Sequence, residues 1–426
     1  MRDAIAEFMT YNRPFARRNP ELLRFKIARM AESPFAFFRG TFHLFARDVL
    51  AGVSAPLPLF TGTGVELDLV GDLHSENYGT YKANDGLVHY DVNDFDETTT
   101  GRFDFDVCRL TASHLLAAQD RGDLLGPAID AALTGVHAYA ASIRRLLGKG
   151  KSVQLDVSEM GRCGCDPIDQ LIADAVKAKR AAYVDRLTEI KNGKRRMKRS
   201  AKTYNLPQAD SDQARRLLAE YRGRQKDLPE REGYFEAEDV CGRVSGIGSM
   251  GRLRYLVLLT GKGSEQGRNV VLEFKESLPS AYDVCRDREK DEGARARRAE
   301  RVIGMQTESQ AASNRFVGWA VDGGQSFQVR QLGPSDARVE AKMLPPGGLG
   351  SLAKVQAEIL ARIHARSAAR AVGPTNPLAE LIEPEAFCQR VLAFALGYAD
   401  VMRRDWARFA GARADLDRVE QWMGAE

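Results

Sequence analysis

GDLHSENYG (residues 71–79) and DVNDFDE (91–97) decide how this chain is read. Asp72 and Asn77 stand five residues apart with His74 between them, and Asp91, Asp94, Asp96 and Glu97 follow a few residues later. A single Asp or Asn in a loop more simply forms a turn or caps a helix. In the ordered set of Asp72, then Asn77, then Asp94, the Asn77 amide oxygen and the Asp94 carboxylate are hard oxygen donors at fixed spacing. Magnesium prefers such donors and usually keeps several waters, so these residues suit it better than a histidine cluster would.

Outward from these stretches, VELDLVGD (65–72) alternates and runs into the loop as a strand, and LVHYDVNDFD (87–96) reads as the next strand. Asn84, Asp85 and Gly86 form a turn between them, which places the loop beside a small β-hairpin. DVCRLTASHLLAAQ begins a helix at Asp106, with an acid near its start. Residues 3–32 read as mostly helical, with a turn at SPF (33–35) and a short helix at 41–50. Further helices are expected at 126–148 and 167–190. KNGKRRMKRSAK (191–202) carries seven basic residues and, with the polar stretch to about Glu232, reads as a solvated connecting region. Contact with nucleic acid or an acidic substrate is its alternative reading. From residue 238 the chain turns β-like, a charged helix follows at about 284–313, and RFVGWAV and QSFQVRQL read as strands. From about Leu349 it is helical again. The pattern is α+β.

GIGSMG (246–251) is a GxGxxG motif. A dinucleotide fingerprint requires a helix to begin at its last glycine. Gly251 is instead followed by RLRYLVLLT, a strand. That leaves an ordinary glycine hairpin or a hairpin covering a nucleotide's phosphates, formed by Gly246, Gly248, Ser249 and Gly251. VVLEFKES then puts Val271, Glu273 and Lys275 on one face of a strand and Leu272 and Phe274 on the other. A lysine there can reach phosphates as a point charge. Its expected carboxylate partner on the following helix is Glu300, with Glu308 and Glu292 as alternatives.

Bulk properties set few limits. The 426 residues hold 62 Lys and Arg against 58 Asp and Glu, a net charge of +4, which demands neither a nucleic-acid nor a membrane partner. Two or three folding units are expected at this length. The six cysteines lack CxxC spacing, which speaks against a zinc site or disulfide framework and fits a reducing compartment. MRDAIAEFMTYNRPFARR has no apolar signal core, and no stretch approaches a membrane span, so a cytoplasmic location is expected.

GDLHSEN followed by NDFD resembles the catalytic and metal-binding segments of the aminoglycoside phosphotransferase and choline kinase branch of the protein-kinase-like fold. That resemblance implies Asp72 as catalytic base, Asn77 and Asp94 as metal ligands, Asp106 as support for the loop, and ATP with Mg²⁺ as cofactors. More narrowly, SPFAFFRG (33–40), GDLHSENYG, DVNDFDET, RVSGIGSMG, FKES, QAASNRFVGW and FQVRQL resemble the domain of unknown function 2252 (DUF2252) family over nearly all the chain. The motif order is reversed relative to ordinary kinases, the catalytic loop preceding the glycine loop. LGSLAKVQAEILARIHARS (349–367) resembles the helix that normally precedes the catalytic loop. A circularly permuted two-lobed kinase-like fold is therefore expected. Residues 1–236 would form the helical catalytic part, 237–335 a β-rich nucleotide-binding part, and 336–426 a helical return. The implied function is transfer of the ATP γ-phosphoryl group to a hydroxyl of an unknown acceptor, with nucleic acid unlikely as partner. Alternatives are AMP transfer, a nucleotide-binding scaffold without turnover, and a basic nucleic-acid-binding protein.

Overall fold

The computed structural model describes residues 3–51, 65–147, 164–225, 233–244, 246, 251–262, 268–288, 292–372, 378 and 382–423. Four helices open the chain, and their starts are written in local capping chemistry. Asp3 accepts the backbone N–H groups of Ile5 and Ala6 and starts α1 (Ala4–Arg18). Asn19 caps α2 (Pro20–Met30), and Ser33 caps α3 (Pro34–Gly40). Both have Pro at the first helical position, where no N–H is needed. SPF is thus a helix start rather than the expected turn. α4 (Phe42–Ala51) is buried along most of its length.

The loop at 71–79 lies between two small antiparallel pairs. β1 (Glu66–Leu69) pairs with β4 (Thr99–Arg102), and β2 (Tyr78–Lys82) pairs with β3 (Val88–Val92). The hairpin is therefore β2–β3 across the Asn84–Gly86 turn, and the strand before the loop belongs to the other pair. α5 (Asp104–Arg121) follows, buried from Asp104 to Ala118, and stops at Gly122 with φ +82°. α6 (Leu125–Leu147), α12 (Gly348–Val372) and α13 (Pro384–Gly411) surround it. One apolar core joins α1–α6, α12 and α13, drawing Phe8, Phe37, Leu116, Tyr139, Leu360 and Phe394 from segments hundreds of residues apart.

A six-stranded antiparallel sheet forms the β-rich part, in the order β11-β12-β10-β9-β8-β7. Its strands are β7 (Thr203–Tyr204), β8 (Ala237–Arg243), β9 (Arg254–Leu259), β10 (Val270–Glu276), β11 (Gly318–Asp322) and β12 (Gln325–Leu332). Leu272 and Phe274 of β10 pack with Val257, Val329 and Tyr221 of α9 (Gln208–Arg224) in a second core. Val271, on the opposite face, joins Leu256, Leu258 and Leu332 in a third. The alternation expected on β10 is realised.

The expected linker at 191–202 is ordered structure instead. β5 (Thr188–Lys191) and β6 (Lys194–Met197) form a hairpin across Asn192 (φ +52°) and Gly193 (φ +72°). Both turn residues are left-handed, as a two-residue hairpin turn matching strand twist requires. Met197 is buried against Cys241 and Leu256, so the basic side chains ride on a strand anchored by one apolar residue. The helix expected at 167–190 is two, α7 (Asp166–Lys177) and α8 (Arg180–Leu187), and the one expected at 284–313 separates into α10 (Ala281–Cys285) and α11 (Glu292–Ser309). Among the described residues no helix is long and apolar enough to cross a membrane.

Candidate active site

The cleft is built from the bottom of the 71–79 loop upward. Asp106, in the first turn of α5, accepts the backbone N–H groups of Val70 at 2.7 Å and Gly71 at 3.0 Å. His364 of α12 lies 3.5 Å behind it and is held in turn by the Tyr139 hydroxyl at 2.8 Å. Gly71 has φ +91°, and a Cβ there would lie 2.2 Å from the Glu97 carbonyl oxygen, so only glycine fits. Gln356 of α12 donates to the Ser75 carbonyl at 2.7 Å, and Arg362 of the same helix holds the fully buried Asp91 at 2.6 Å. α12, from the far end of the chain, thus fixes both acidic stretches.

On this base Asp72, His74, Glu76, Asn77, Asp94, Asp96 and Glu97 all line one cleft. The Asn77 amide nitrogen donates to the main-chain carbonyls of Asp72 and Asp94, each at 3.1 Å, stitching the two stretches together. Its donor used, the amide oxygen remains as an acceptor. The Asp94 side chain is 44 % exposed, against 6 % for Asp96. One accessible carboxylate beside one amide oxygen makes a partial set of hard ligands. Among the described residues no three His, Cys, Asp or Glu side chains converge as a metal cage. Asn77 and Asp94 therefore fit magnesium only as an ion whose remaining ligands are water and phosphate oxygens.

The sheet supplies the opposite wall. Lys275 of β10 reaches Asp94 at 3.2 Å and is also paired with Asp96. Glu300 is exposed on α11, and Glu308 pairs with Arg370, so neither is the partner expected for Lys275. The reason is rotational: α11 turns Ile303 and Gln306 toward the cleft and Glu300 away. Gly246 is exposed, has φ +69° and lines the cleft. Gly251 has φ +100°, and a Cβ there would lie 2.4 Å from the Phe15 ring, so α1 itself takes up the close approach that this glycine permits. Gly248 and Ser249 lie outside the described residues.

Several groups in the cleft or buried behind it carry weak local sequence signals. Arg109, one turn after Asp106, has no exposed surface, and its Nε donates to Asp72 Oδ1 at 3.0 Å. Its guanidinium lies over the Phe38, Phe42 and Phe45 rings at 4.0, 4.7 and 5.0 Å. Arg252, directly after the glycine loop, holds Asp96 at 3.1 Å and Glu97 at 2.6 Å. Arg39 pairs with Glu76 at 2.6 Å. Glu273, fully buried two residues before Lys275 on β10, accepts from Arg243, Arg254 and Arg330 at 3.1, 3.0 and 2.9 Å.

Electrostatics separate the carboxylates. Burial pushes Asp72 above its ordinary value, and Arg109 pulls the other way. Burial would also raise Asp96, but Lys275, Arg252 and Arg254 outweigh it and hold the carboxyl well below the usual range. Burial pushes Glu97 up to about 7 despite Arg252. Burial, with Arg39 and Arg109 nearby, holds His74 far below 6.5, so it is neutral. Its Nδ1 accepts the Glu76 N–H at 3.2 Å, a loop-forming contact. The cleft thus contains a desolvated acid at the loop, an accessible acid at the strand end, and fixed cations facing both.

An α+β chain with such a cleft has a match among protein families. The model of the family described as "Uncharacterized protein conserved in bacteria (DUF2252)" matches residues 18–412. The chain belongs to the DUF2252 family. No curated protein and no solved structure matches it.

Proposed function

We propose that the protein is an ATP- and magnesium-dependent phosphotransferase of circularly permuted kinase-like fold, acting on a hydroxyl acceptor. One observation carries the reading: Lys275, behind the glycine loop, meets Asp94 across 181 residues of sequence, in the same cleft as Asp72 and Asn77. Phosphoryl transfer asks mainly for positioning and charge neutralisation, and those are the properties of this set. The acceptor oxygen attacks the γ-phosphorus in line, and the bond from that phosphorus to the ADP oxygen breaks. The hydroxyl proton passes to Asp72, giving a phosphate monoester and ADP. Desolvation of Asp72 strengthens it as a base, while Arg109 keeps enough of it ionised to act. Magnesium, held through Asn77 and Asp94, would neutralise the phosphate oxygens. Lys275 would exchange part of its pairing with Asp94 for those oxygens. The three-part division, with 237–335 over the nucleotide and the flanking segments forming the catalytic side, belongs to the same reading.

The test is calorimetry of ATP and NADH, each with and without Mg²⁺, on wild type, Lys275→Ala and Asp94→Asn. ATP binding that requires magnesium and weakens in both variants supports the reading. Absence of ATP binding, or indifference to both substitutions, sinks it.

A further inference from the structure

The cleft has a second end, built by the N-terminal helices. Tyr11 of α1, Lys26 of α2 and His43 of α4 line it together with Phe42. The Tyr11 and His43 rings stack at 4.1 Å between centroids, with 3° between planes. Lys26 is 3 % exposed. Its Nζ donates to the Asn12 amide oxygen at 3.2 Å, and Asn12, fully buried, spends its own nitrogen on the Phe8 carbonyl at 2.8 Å. An ammonium carries three donors, and this one has a single neutral partner among the described residues.

The contrast with the other cleft cations is complete among the described residues. Arg39 and Arg338 pair with Glu76, Arg252 with Asp96 and Glu97, Lys275 with Asp94 and Asp96, and Arg254 and Arg330 with Glu273. Lys26 alone has no ion pair. Burying an ammonium without a counter-charge is expensive. Its pKa falls only to about 8, so it stays charged at neutral pH. Burial lowers it first and the Arg252 charge second, while Glu97 and Asp72 oppose them, so Lys26 lies within reach of Asp72 as well as of Arg252.

We propose that this end is the acceptor subsite, and that Lys26 selects an acceptor whose body lies along Tyr11, His43 and Phe42 and which carries an oxyanion group, carboxylate or phosphate. The missing counter-charge is then the ligand's. The assignment of the pocket to the acceptor rests on the phosphotransferase reading; the anion site at Lys26 does not.

The experiment uses the full chain without nucleotide. Inorganic phosphate and malonate are titrated separately by calorimetry into wild type, Lys26→Met, Lys26→Gln and Lys275→Ala, with glycerol as the neutral control. Wild type is expected to bind one of the two anions, and which one distinguishes a phosphorylated from a carboxylated acceptor. Both Lys26 variants are expected to bind it at least tenfold more weakly, whereas Lys275→Ala keeps this site. Lys26→Gln keeps an N–H donor on the Asn12 side without the charge, and a melting curve for each variant verifies the fold. No anion binding by wild type, or equal binding by folded Lys26 variants, overturns the proposal. ATP binding is measured in parallel. If ATP fails to bind while the Lys26-dependent anion site persists, the phosphotransferase reading alone is lost.

Discussion

Arg109 offers the sharpest test of how the catalytic loop is held. Arg109→Met keeps length and apolar contact with Phe38, Phe42 and Phe45 but removes the charge facing Asp72. Breaking a buried ion pair by deleting one partner costs about 3–5 kcal/mol, because the other charge is left without compensation. The Phe38 carbonyl, which now accepts from Arg109 at 3.1 Å, also loses a donor. Leaving such a buried acceptor unpaired adds to the same loss, for which about 5 kcal/mol is the expected ceiling. Asp72→Asn leaves the fully buried Arg109 guanidinium without its counter-charge, so by the same argument about 3–5 kcal/mol is expected, toward the lower end because the amide oxygen still accepts and Arg109 keeps the Phe38 carbonyl and the aromatic rings. In the double variant neither charge is stranded, so the two losses do not add. The assay is urea unfolding of wild type, both single variants and the double variant, followed by fluorescence. A coupling of about 2 kcal/mol or more is expected for residues in direct contact. Additive losses, within about 0.5 kcal/mol, would refute the claim that Arg109 acts through Asp72. Arg109→Met also lets the Asp72 carboxyl rise further, so its pH–rate profile should shift to higher pH with ATP affinity little changed.

Further predictions concern the same cleft. Lys26 has a folded pKa of about 8 against 10.5, a depression that converts to roughly 3 kcal/mol lost while the folded group is charged. The unfolded chain holds more protons between those values, so this group's contribution rises with pH from about 8 to 10.5. Lys26→Met should therefore raise the melting temperature at pH 7 and flatten that rise; a lowered melting temperature contradicts it. Glu97 has the opposite sign. Its pKa is raised from 4.5 to about 7, so its burial penalty is full above 7 and is relieved as pH falls toward 4.5. Glu97→Gln should remove that part of the pH dependence in urea melts, and an unchanged profile would count against it. Gly71→Ala meets the Glu97 carbonyl oxygen at 2.2 Å with φ at +91°, so thermal melting should show a loss of at least about 2 kcal/mol. A melting temperature equal to wild type would show that the loop can relax. Asp106→Asn leaves one acceptor oxygen for the N–H groups of Val70 and Gly71, and urea melts should register about 1–3 kcal/mol.

The features readable from the chain alone are those whose logic is local. Asp72 and Asn77 share one short loop, and the Asn77 amide closes it through main-chain carbonyls of Asp72 and Asp94. The alternation of β10 put Leu272 and Phe274 on the core side and Lys275 on the other, because the side-chain period of a strand is fixed at two. Asp106 at the start of α5 was legible as well, and it ties down the backbone of Val70 and Gly71. The failures have one physical cause. Charge partners are chosen by three-dimensional proximity, to which sequence spacing is blind. Glu300 sits on the expected helix but on its exposed face, and Lys275 finds Asp94 and Asp96 instead. The basic run at 191–202 has the composition of a linker, yet the left-handed pair Asn192 and Gly193 and the single buried Met197 make it a hairpin. Arg109, Arg252 and Lys26 were illegible because each takes its meaning from a cleft assembled by helices at both ends of the chain and a sheet from its middle. The assembled cleft alone shows which of its charges are answered among the described residues and which one, Lys26, is not.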